Sequence, residues 1–133
     1  MAEGEVFAPK PASGEPWDVI IIGSGPAALT AAIYSTRGAA STLIVGGEKW
    51  GGQLMLTTTV DNWPGTPGIQ GPDLMANMRK QAEHHGAEII DVPATAIDFS
   101  KRPFKITAGE QTYEGASVII ATGADTKWLG VIG

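Results

Sequence analysis

The chain has 133 residues, of which 43% are hydrophobic and 17% charged, and its formal net charge is -5. These values are typical of one globular domain. The negative charge gives no attraction for nucleic acid or for an anionic membrane, and no apolar run reaches the roughly 18 residues of a membrane span. There is no cysteine, which excludes a disulfide, a thiolate metal site and a Cys-x-x-Cys redox pair within these residues. We expect a cytoplasmic protein with neither nucleic-acid nor membrane partners.

The first 16 residues differ in composition from the rest of the chain. They combine three prolines with three glutamates and have no apolar core of the kind found in secretory signals. We therefore predict a flexible N-terminal extension over residues 1–16 and a folded domain over residues 17–133.

The most informative pattern is an apolar strand that runs directly into a glycine-rich turn. Residues 19–22 read Val-Ile-Ile-Ile, and residues 23–28 read Gly-Ser-Gly-Pro-Ala-Ala. Gly23 permits a tight turn, Gly25 removes the Cβ that would block a close ligand, and Ala28 allows close packing of helix and strand. Residues 29–37 are predicted to be helical, with Gly38 at the C′ position. This arrangement is typical of a turn that presents backbone amides and a helix N-terminus to a dinucleotide pyrophosphate. The alternative is an ordinary βα turn whose small residues serve only packing.

The second strand argues against a simple NAD site. An acidic residue at the end of that strand usually holds the ribose hydroxyls. Here the strand Thr42–Val45 is followed by Gly46 and Gly47, and the nearest acid, Glu48, comes slightly late. FAD remains open, with Glu48 or the glycine backbone near the adenosine ribose.

The remaining elements complete an α/β pattern. A long loop over residues 46–71 is followed by a helix that begins at Gly71 and ends at Gly86. We then predict a strand over residues 87–91, an antiparallel meander over residues 94–113 and a buried strand over residues 117–121. The order indicates a Rossmann-like domain: a parallel sheet with helices on one face and the meander on the other.

Five motifs in this order resemble low-molecular-weight thioredoxin reductases, which are pyridine nucleotide-disulfide oxidoreductases. The resemblance covers residues 17–130. The motifs are Gly-Ser-Gly-Pro-Ala-Ala at 23–28, Gly-Gly-Gln-Leu at 51–54, Thr-Thr-Thr-Val-Asp-Asn-Trp-Pro-Gly at 57–65, Arg-Pro-Phe at 102–104 and Ile-Ala-Thr-Gly-Ala at 120–124. The second and third motifs are the most diagnostic.

The resemblance implies FAD as the cofactor and assigns residues to it. The residues of the first turn would line the pyrophosphate, residues 46–53 the adenosine side, and Ala94 the adenine. Gln53, Thr58 and Asn62 would meet the ribityl chain and the flavin ring, although on their own such residues commonly satisfy loop backbone groups. The full set of cofactor-binding candidates is Gly23, Ser24, Gly25, Pro26, Ala27, Gly46, Gly47, Glu48, Gly51, Gly52, Gln53, Leu54, Thr58, Asn62, Ala94, Ala121, Thr122 and Gly123. No catalytic acid, base or metal ligand is predicted, because in a flavin site the cofactor carries the chemistry.

Members of this family pass electrons from NADPH through FAD to a Cys-x-x-Cys pair and on to thioredoxin, usually as homodimers. The resemblance covers only the first part of the FAD domain, without the NADPH domain that carries the cysteines or the C-terminal FAD segment. We therefore expect the chain alone to lack reductase activity. Two alternatives stay open: a split or stand-alone FAD-binding or nucleotide-binding module without reductase activity, and a relative with another electron acceptor.

Overall fold

The computed structural model describes residues 8–125 together with Lys127 and Gly130. It contains eight strands, two α-helices and one 3-10 helix in the described residues. In chain order they are β1 Trp17–Ile22, α1 Pro26–Arg37, β2 Thr42–Val45, the 3-10 helix Gly52–Leu56, β3 Thr59–Val60, β4 Ile69–Gln70, α2 Gly71–His84, β5 Glu88–Ile90, β6 Ala94–Asp98, β7 Phe104–Ala108 and β8 Gln111–Ile120.

The main sheet has six strands in the order β5-β2-β1-β8-β7-β6. Strand β1 lies between β2 and the second half of β8, both parallel to it; Ile20 is paired with Leu43 on one side and with Val118 on the other. Ile20 and Ile21 are fully buried, as predicted for the apolar run at residues 19–22. Bulky β-branched side chains suit such a strand because both faces of a parallel sheet are covered.

The two helices cover one face of the parallel strands. Ile21 and Ile44 point to this face and pack with Leu29 of α1 and with Met75 and Met78 of α2. Burial of large apolar side chains of this kind stabilises a domain by about 1.5–3 kcal/mol each.

The meander formed by β6, β7 and the first half of β8 covers the opposite face. Ile106 and Ala108 of β7 pack there against Ile20, Ile22 and Leu43. The predicted α/β architecture, with helices on one face and a meander on the other, is confirmed.

The last strand differs from the prediction. The sequence indicated one strand ending near residue 113 and another beginning at Ser117, but β8 is a single strand of ten residues. Gly115 is paired with Phe104 in the antiparallel half and with Trp17 in the parallel half, so it lies where the strand changes partners. A Cβ there would lie 2.9 Å from Ile20 Cδ1, so the close crossing needs glycine. The meander and the parallel sheet are therefore joined through β8.

The loop over residues 46–71 is more ordered than predicted. It holds the 3-10 helix and the two-stranded ribbon β3-β4, in which Thr59 is paired with Gln70. The Gly71 amide donates to the Thr58 carbonyl at 2.8 Å and so closes the ribbon against the start of α2.

The predicted N-terminal extension is described from Ala8 onward. Ala8 is buried and its amide donates to the His85 carbonyl at 3.3 Å. Lys10 forms an ion pair with Glu88 of the edge strand β5 at 2.7 Å. This part of the extension therefore contacts α2 and β5.

Helix α1 ends at Arg37 as predicted, but its start and its C-terminal cap differ from the prediction. The helix begins at Pro26, three residues before the predicted start, so its first turn belongs to the glycine-rich motif. At the other end Gly38 is the C-cap residue with φ −79°, and Ala39 at C′ has the left-handed conformation with φ 61°. The prediction assigned Gly38 to C′, the first position after the C-cap, whereas Gly38 is the C-cap itself.

Neither helix in the described part of the chain has the length and apolar character needed to cross a bilayer.

Candidate dinucleotide site

The site lies at the carboxyl end of β1, where the chain turns sharply into α1. The Gly23 amide donates to the Val45 carbonyl at 3.0 Å, and Gly23 has φ 121°. A Cβ at Gly23 would overlap the Ala121 carbonyl, which lies just past the end of β8. Gly23 is therefore required by the fold itself, because it lets the chain segments after β1 and β8 run side by side.

Gly25 is a glycine of a different kind. Its φ of −78° is open to any residue, and an added Cβ would contact only the Gly52 Cα, at 3.9 Å. Gly25 is also the N-cap of α1, where no side chain caps the helix and the first turn has no acidic residue. The first helical amides, including those of Ala27 and Ala28, have no carbonyl partner within the helix. The missing side chain at Gly25 leaves room for a ligand that approaches these amides.

Ser24 ties the glycine turn to the loop after β2. It is buried, and its Oγ donates to the Gly46 carbonyl at 2.7 Å and accepts from the Gly51 amide at 3.2 Å. The hydroxyl proton is thus used within the protein, and the Ser24 carbonyl also accepts from the Gly51 amide at 3.1 Å. Ser24 therefore connects the turn after β1 to the loop after β2, and its backbone amide is the donor that remains for a ligand.

These segments enclose a half-open cavity of about 360 Å³. Its lining consists mostly of small residues and backbone from three places: the turn after β1, the loop after β2, and the segment after β8. The lining residues are Gly23, Ser24, Gly25, Pro26, Ala27, Gly46, Lys49, Gly52, Gln53, Leu54, Ala121, Thr122, Gly123 and Ala124. A second cavity of about 230 Å³ shares Gly23, Gly46 and Thr122 with the first and adds Gly47 and Ala94.

Most of the residues predicted from the sequence therefore line these two adjoining cavities. Four do not: Glu48, Thr58 and Asn62 are exposed outside them, and Gly51 is buried. Gly51 has φ 94°, and a Cβ there would overlap the Met55 side chain. This glycine therefore allows Met55 to pack against the loop on the side away from the cavity.

Two residues that line the first cavity, Lys49 and Ala124, are absent from the predicted set. Lys49 stands in the glycine loop between Glu48 and Trp50, and its position there gave no signal beyond a solvated charge. Ala124 lies just after the Thr-Gly pair, and its carbonyl accepts a hydrogen bond from Gln53 Nε2 at 3.3 Å. This bond joins the loop after β2 to the segment after β8.

The chemistry available at the cavity is that of anion binding. Backbone amides at a helix N-terminus and one lysine favour a phosphate group, and the missing Cβ of Gly25 lets it approach. No group of three or more His, Cys, Asp or Glu side chains that could hold a metal lies in the described ranges. A dinucleotide phosphate fits the donors present, with small residues on both sides to admit the rest of the ligand.

Known proteins share this arrangement in sequence and in structure. Thioredoxin reductase of Rickettsia bellii is 49% identical over 115 residues, which cover 85% of this chain and 37% of that protein. Glucosaminate ammonia-lyase of Pseudomonas fluorescens is 46% identical over 114 residues, with 85% and 36% covered. The structure of thioredoxin reductase from Giardia duodenalis superposes with a TM-score of 0.82 at 42% identity, covering 86% of this chain and 38% of that one.

The chain thus spans little more than a third of the length of these relatives. The family model for pyridine nucleotide-disulphide oxidoreductases matches residues 17–133, which include the cavity and every element around it. The chain belongs to the pyridine nucleotide-disulphide oxidoreductase family.

Proposed function

We propose that this chain forms part of the FAD site of a thioredoxin reductase-like flavoprotein. The observation that carries the proposal is the uncapped N-terminus of α1 beside Gly25, whose absent side chain leaves the cavity open to a phosphate. The family supports a dinucleotide cofactor at this turn, and the similarity to thioredoxin reductases favours FAD.

The residues divide into regions along the cofactor. Gly23 to Ala27 would line the pyrophosphate, with the amides of Ser24, Gly25 and Ala27 as donors, because the Gly23 amide already bonds the Val45 carbonyl and Pro26 has no N–H. The loop from Gly46 to Gly52, with Glu48, would lie on the adenosine side. Ala94 would reach the adenine from the second cavity. Gln53 and Leu54 would meet the ribityl chain and flavin ring, with Ala121, Thr122 and Gly123 approaching from the end of β8. Thr58 and Asn62, which the resemblance assigns to the same part of the cofactor, lie outside both cavities.

FAD, when bound, supplies hydride and electron transfer, while the protein positions it and excludes competing reactions. For the parent protein we propose electron transfer from NADPH through FAD to a disulfide, with thioredoxin as the substrate, in a cytoplasmic homodimer. The chain itself has no cysteine, so the disulfide relay would have to come from another segment or chain. The 133-residue chain is expected to show no NADPH-dependent reduction of thioredoxin.

A second candidate is a parent protein with a different activity built on the same FAD region. It is favoured by one observation, the 46% identity to a protein named glucosaminate ammonia-lyase over this same region. The two candidates share the FAD site, so both predict flavin binding by this chain. A Cys-x-x-Cys pair downstream in the parent's sequence would favour the reductase.

The experiment that tests the proposal is a flavin titration of Gly25→Val against the unmodified chain. A branched side chain at Gly25 should fill the space meant for the phosphates, and we expect FAD affinity to fall by at least about a hundredfold. Stability should fall by no more than about 1 kcal/mol, the cost of losing an N-cap glycine, because apart from its chain neighbours only Gly52 Cα lies within 4 Å of the Cβ position.

The matched control is Thr112→Val, which adds the same side chain at an exposed position of β8 remote from the cavity. It should leave both FAD binding and stability unchanged. Failure of the folded unmodified chain to bind FAD, or full FAD affinity in Gly25→Val, would contradict the proposal.

A further inference from the structure

Arg79 of α2 makes an unusually complete set of contacts beside the loop after β2. Its Nη1 and Nη2 donate to the two carboxylate oxygens of Asp91, each at 2.9 Å, and its Nε donates to Glu83 Oε1 at 3.2 Å. Its guanidinium carbon lies 4.8 Å from the centroid of the Trp50 ring. The side chain is only 20% exposed, so the guanidinium is fixed between one aromatic face and two carboxylates.

Trp50 lies in the loop after β2 and directly follows Lys49, which lines the cavity. One end of this loop is held by the hydrogen bond from the Gly46 amide to the Ile90 carbonyl, at 2.9 Å. The other end is held by the bonds between the Gly51 amide and Ser24, at 3.1 and 3.2 Å. Between these ends, Trp50 packs on the core under α1 and α2, and Arg79 lies over its ring.

The loop needs such an anchor because of its glycines. Gly47, Gly51 and Gly52 have φ values of 78°, 94° and 67°, which glycine adopts freely in many other combinations as well. A loop that had to be ordered on binding would lose affinity to conformational entropy. An arginine that is both paired bidentately and stacked on an aromatic ring is a stiff anchor.

We infer that Arg79 is a positioning residue for the dinucleotide site, which acts through Trp50 to hold Lys49 at the cavity where the ligand's phosphates bind. The inference rests on the proposed FAD function. Arg79 itself does not line the cavity, so its effect on the ligand is indirect. The hydrogen bond with Asp91 raises the pKa of Arg79 above its ordinary value, so the guanidinium stays charged.

The inference predicts coupling between Arg79 and Lys49. Lys49→Gln alone should weaken FAD binding about two- to fivefold, as expected for a solvent-exposed charge on a phosphate. Arg79→Gln should weaken it by at least as much as Lys49→Gln, because it releases Trp50 and with it the lysine, and leaves the loop to be ordered on binding. The double variant should bind as Arg79→Gln does, well short of the product of the two single losses, since Lys49 no longer contributes once it is released. Arg79→Lys should not restore affinity, because lysine cannot make the bidentate pair.

A second readout reports on Trp50 without any cofactor. Arg79→Gln should increase quenching of tryptophan fluorescence by acrylamide, and this increase should disappear when Trp50 is also replaced by Phe. Arg102→Gln is the matched control, because Arg102 also stacks on an aromatic ring, at 5.3 Å from Phe104, but lies on the meander away from the cavity. It should change neither quenching nor FAD affinity.

The decisive experiment is the FAD titration of the unmodified chain, Lys49→Gln, Arg79→Gln, the double variant and Arg102→Gln under one condition. Non-additive losses for Lys49 and Arg79, with Arg102→Gln unchanged, support the inference. If the unmodified chain binds FAD but the two losses multiply, or Arg79→Gln binds as tightly as Arg102→Gln, the inference is wrong and the proposed function stands. If the unmodified, folded chain binds no FAD, both fail.

Discussion

Two glycines of the same turn have opposite roles at the scale of single residues. Gly23 is required by its neighbours, because a side chain there would overlap the Ala121 carbonyl and would also have to adopt a φ of 121°. Gly25 has an ordinary φ and open space, so its lack of a side chain serves the cavity. Fold and ligand binding can therefore be separated by substitutions two residues apart.

Gly23→Ala should destabilise the chain by about 3 kcal/mol or more, since it combines overpacking against backbone with backbone strain. Gly25→Ala should leave stability within about 1 kcal/mol of the unmodified chain and still weaken FAD binding. Urea unfolding at equilibrium measures both variants. Equal stability of the two variants would show that the distinction between these glycines is wrong.

The roles of these glycines could be predicted from their spacing after an apolar strand, because the turn imposes the same steric demands wherever it occurs. The contribution of Lys49 could not, since its place in the lining depends on how the loop is held by Ser24 and by Trp50 under Arg79. Those contacts join residues 27 and 29 positions apart, beyond the reach of any local pattern.

At the scale of secondary structure, the backbone after α1 is strained at Ala39, a residue that the sequence pattern did not indicate. Gly38, the residue that predicts a left-handed helix terminus, has φ −79°, and the left-handed position falls on Ala39. The Ala39 amide donates to the Thr36 carbonyl at 2.9 Å and the Ala40 amide to the Ser35 carbonyl at 3.1 Å. These two hydrogen bonds end the helix and determine which residue takes the left-handed conformation. That residue is Ala39, for which the conformation is unfavourable.

Ala39→Gly should therefore stabilise the chain, by about 0.5 kcal/mol, since relief of the left-handed conformation outweighs the added freedom of the unfolded chain. Ala40→Gly is the control; it lacks a positive φ and should lose about 0.5–1 kcal/mol. The midpoints of urea unfolding measure both. Destabilisation of equal size in the two variants would rule out strain at Ala39.

Strand β8 shows what propensity can and cannot predict. The residues of both its halves favour strands, and the sequence located them correctly, but it placed a break between them. The break is absent because Gly115 lets one continuous strand pass Ile20 closely while it changes from an antiparallel to a parallel partner. Only the tertiary arrangement of β1 and β7 determines this.

Gly115→Ala tests this crossing. The added methyl would lie 2.9 Å from two carbons of the fully buried Ile20, and overpacking of this kind costs about 1–3 kcal/mol. The double variant with Ile20→Val should lose less in urea unfolding than the sum of the two single losses, because valine lacks Cδ1, one of the two carbons that the methyl would meet. No loss in Gly115→Ala would mean that the strands do not approach this closely.

At the scale of the whole molecule, one buried histidine joins the end of α2 to the N-terminal segment. His85 is the C-cap residue of α2, and its carbonyl accepts a hydrogen bond from the Ala8 amide. The residue is buried, with 7% of its surface exposed. Burial, followed by the charges of His84 and Arg37, lowers the pKa of His85 below its ordinary value of 6.5.

Because the pKa is lower in the folded chain than in the unfolded chain, the unfolded chain binds the proton more readily. Stability should therefore be unaffected by this group well above pH 6.5 and should fall as the pH drops below 6.5 toward the lowered pKa. Unfolding free energies of the unmodified chain and of His85→Gln should run parallel above pH 6.5, and below it the unmodified chain should lose stability more steeply than the variant. The exposed His84→Gln variant should keep most of the dependence, and a pH profile unaffected by His85→Gln would contradict the assignment.

The most direct test of the account is a nitrogen-15 amide titration of the chain with FAD. We predict that the largest shifts fall on the backbone amides of Gly23, Ser24, Gly25 and Ala27, with further shifts over residues 46–52 and 121–124, the segments that line the cavity. Shifts concentrated instead in the groove between α1 and α2, around Tyr34, Trp63 and Met78, would contradict the account, as would no shift at saturating FAD.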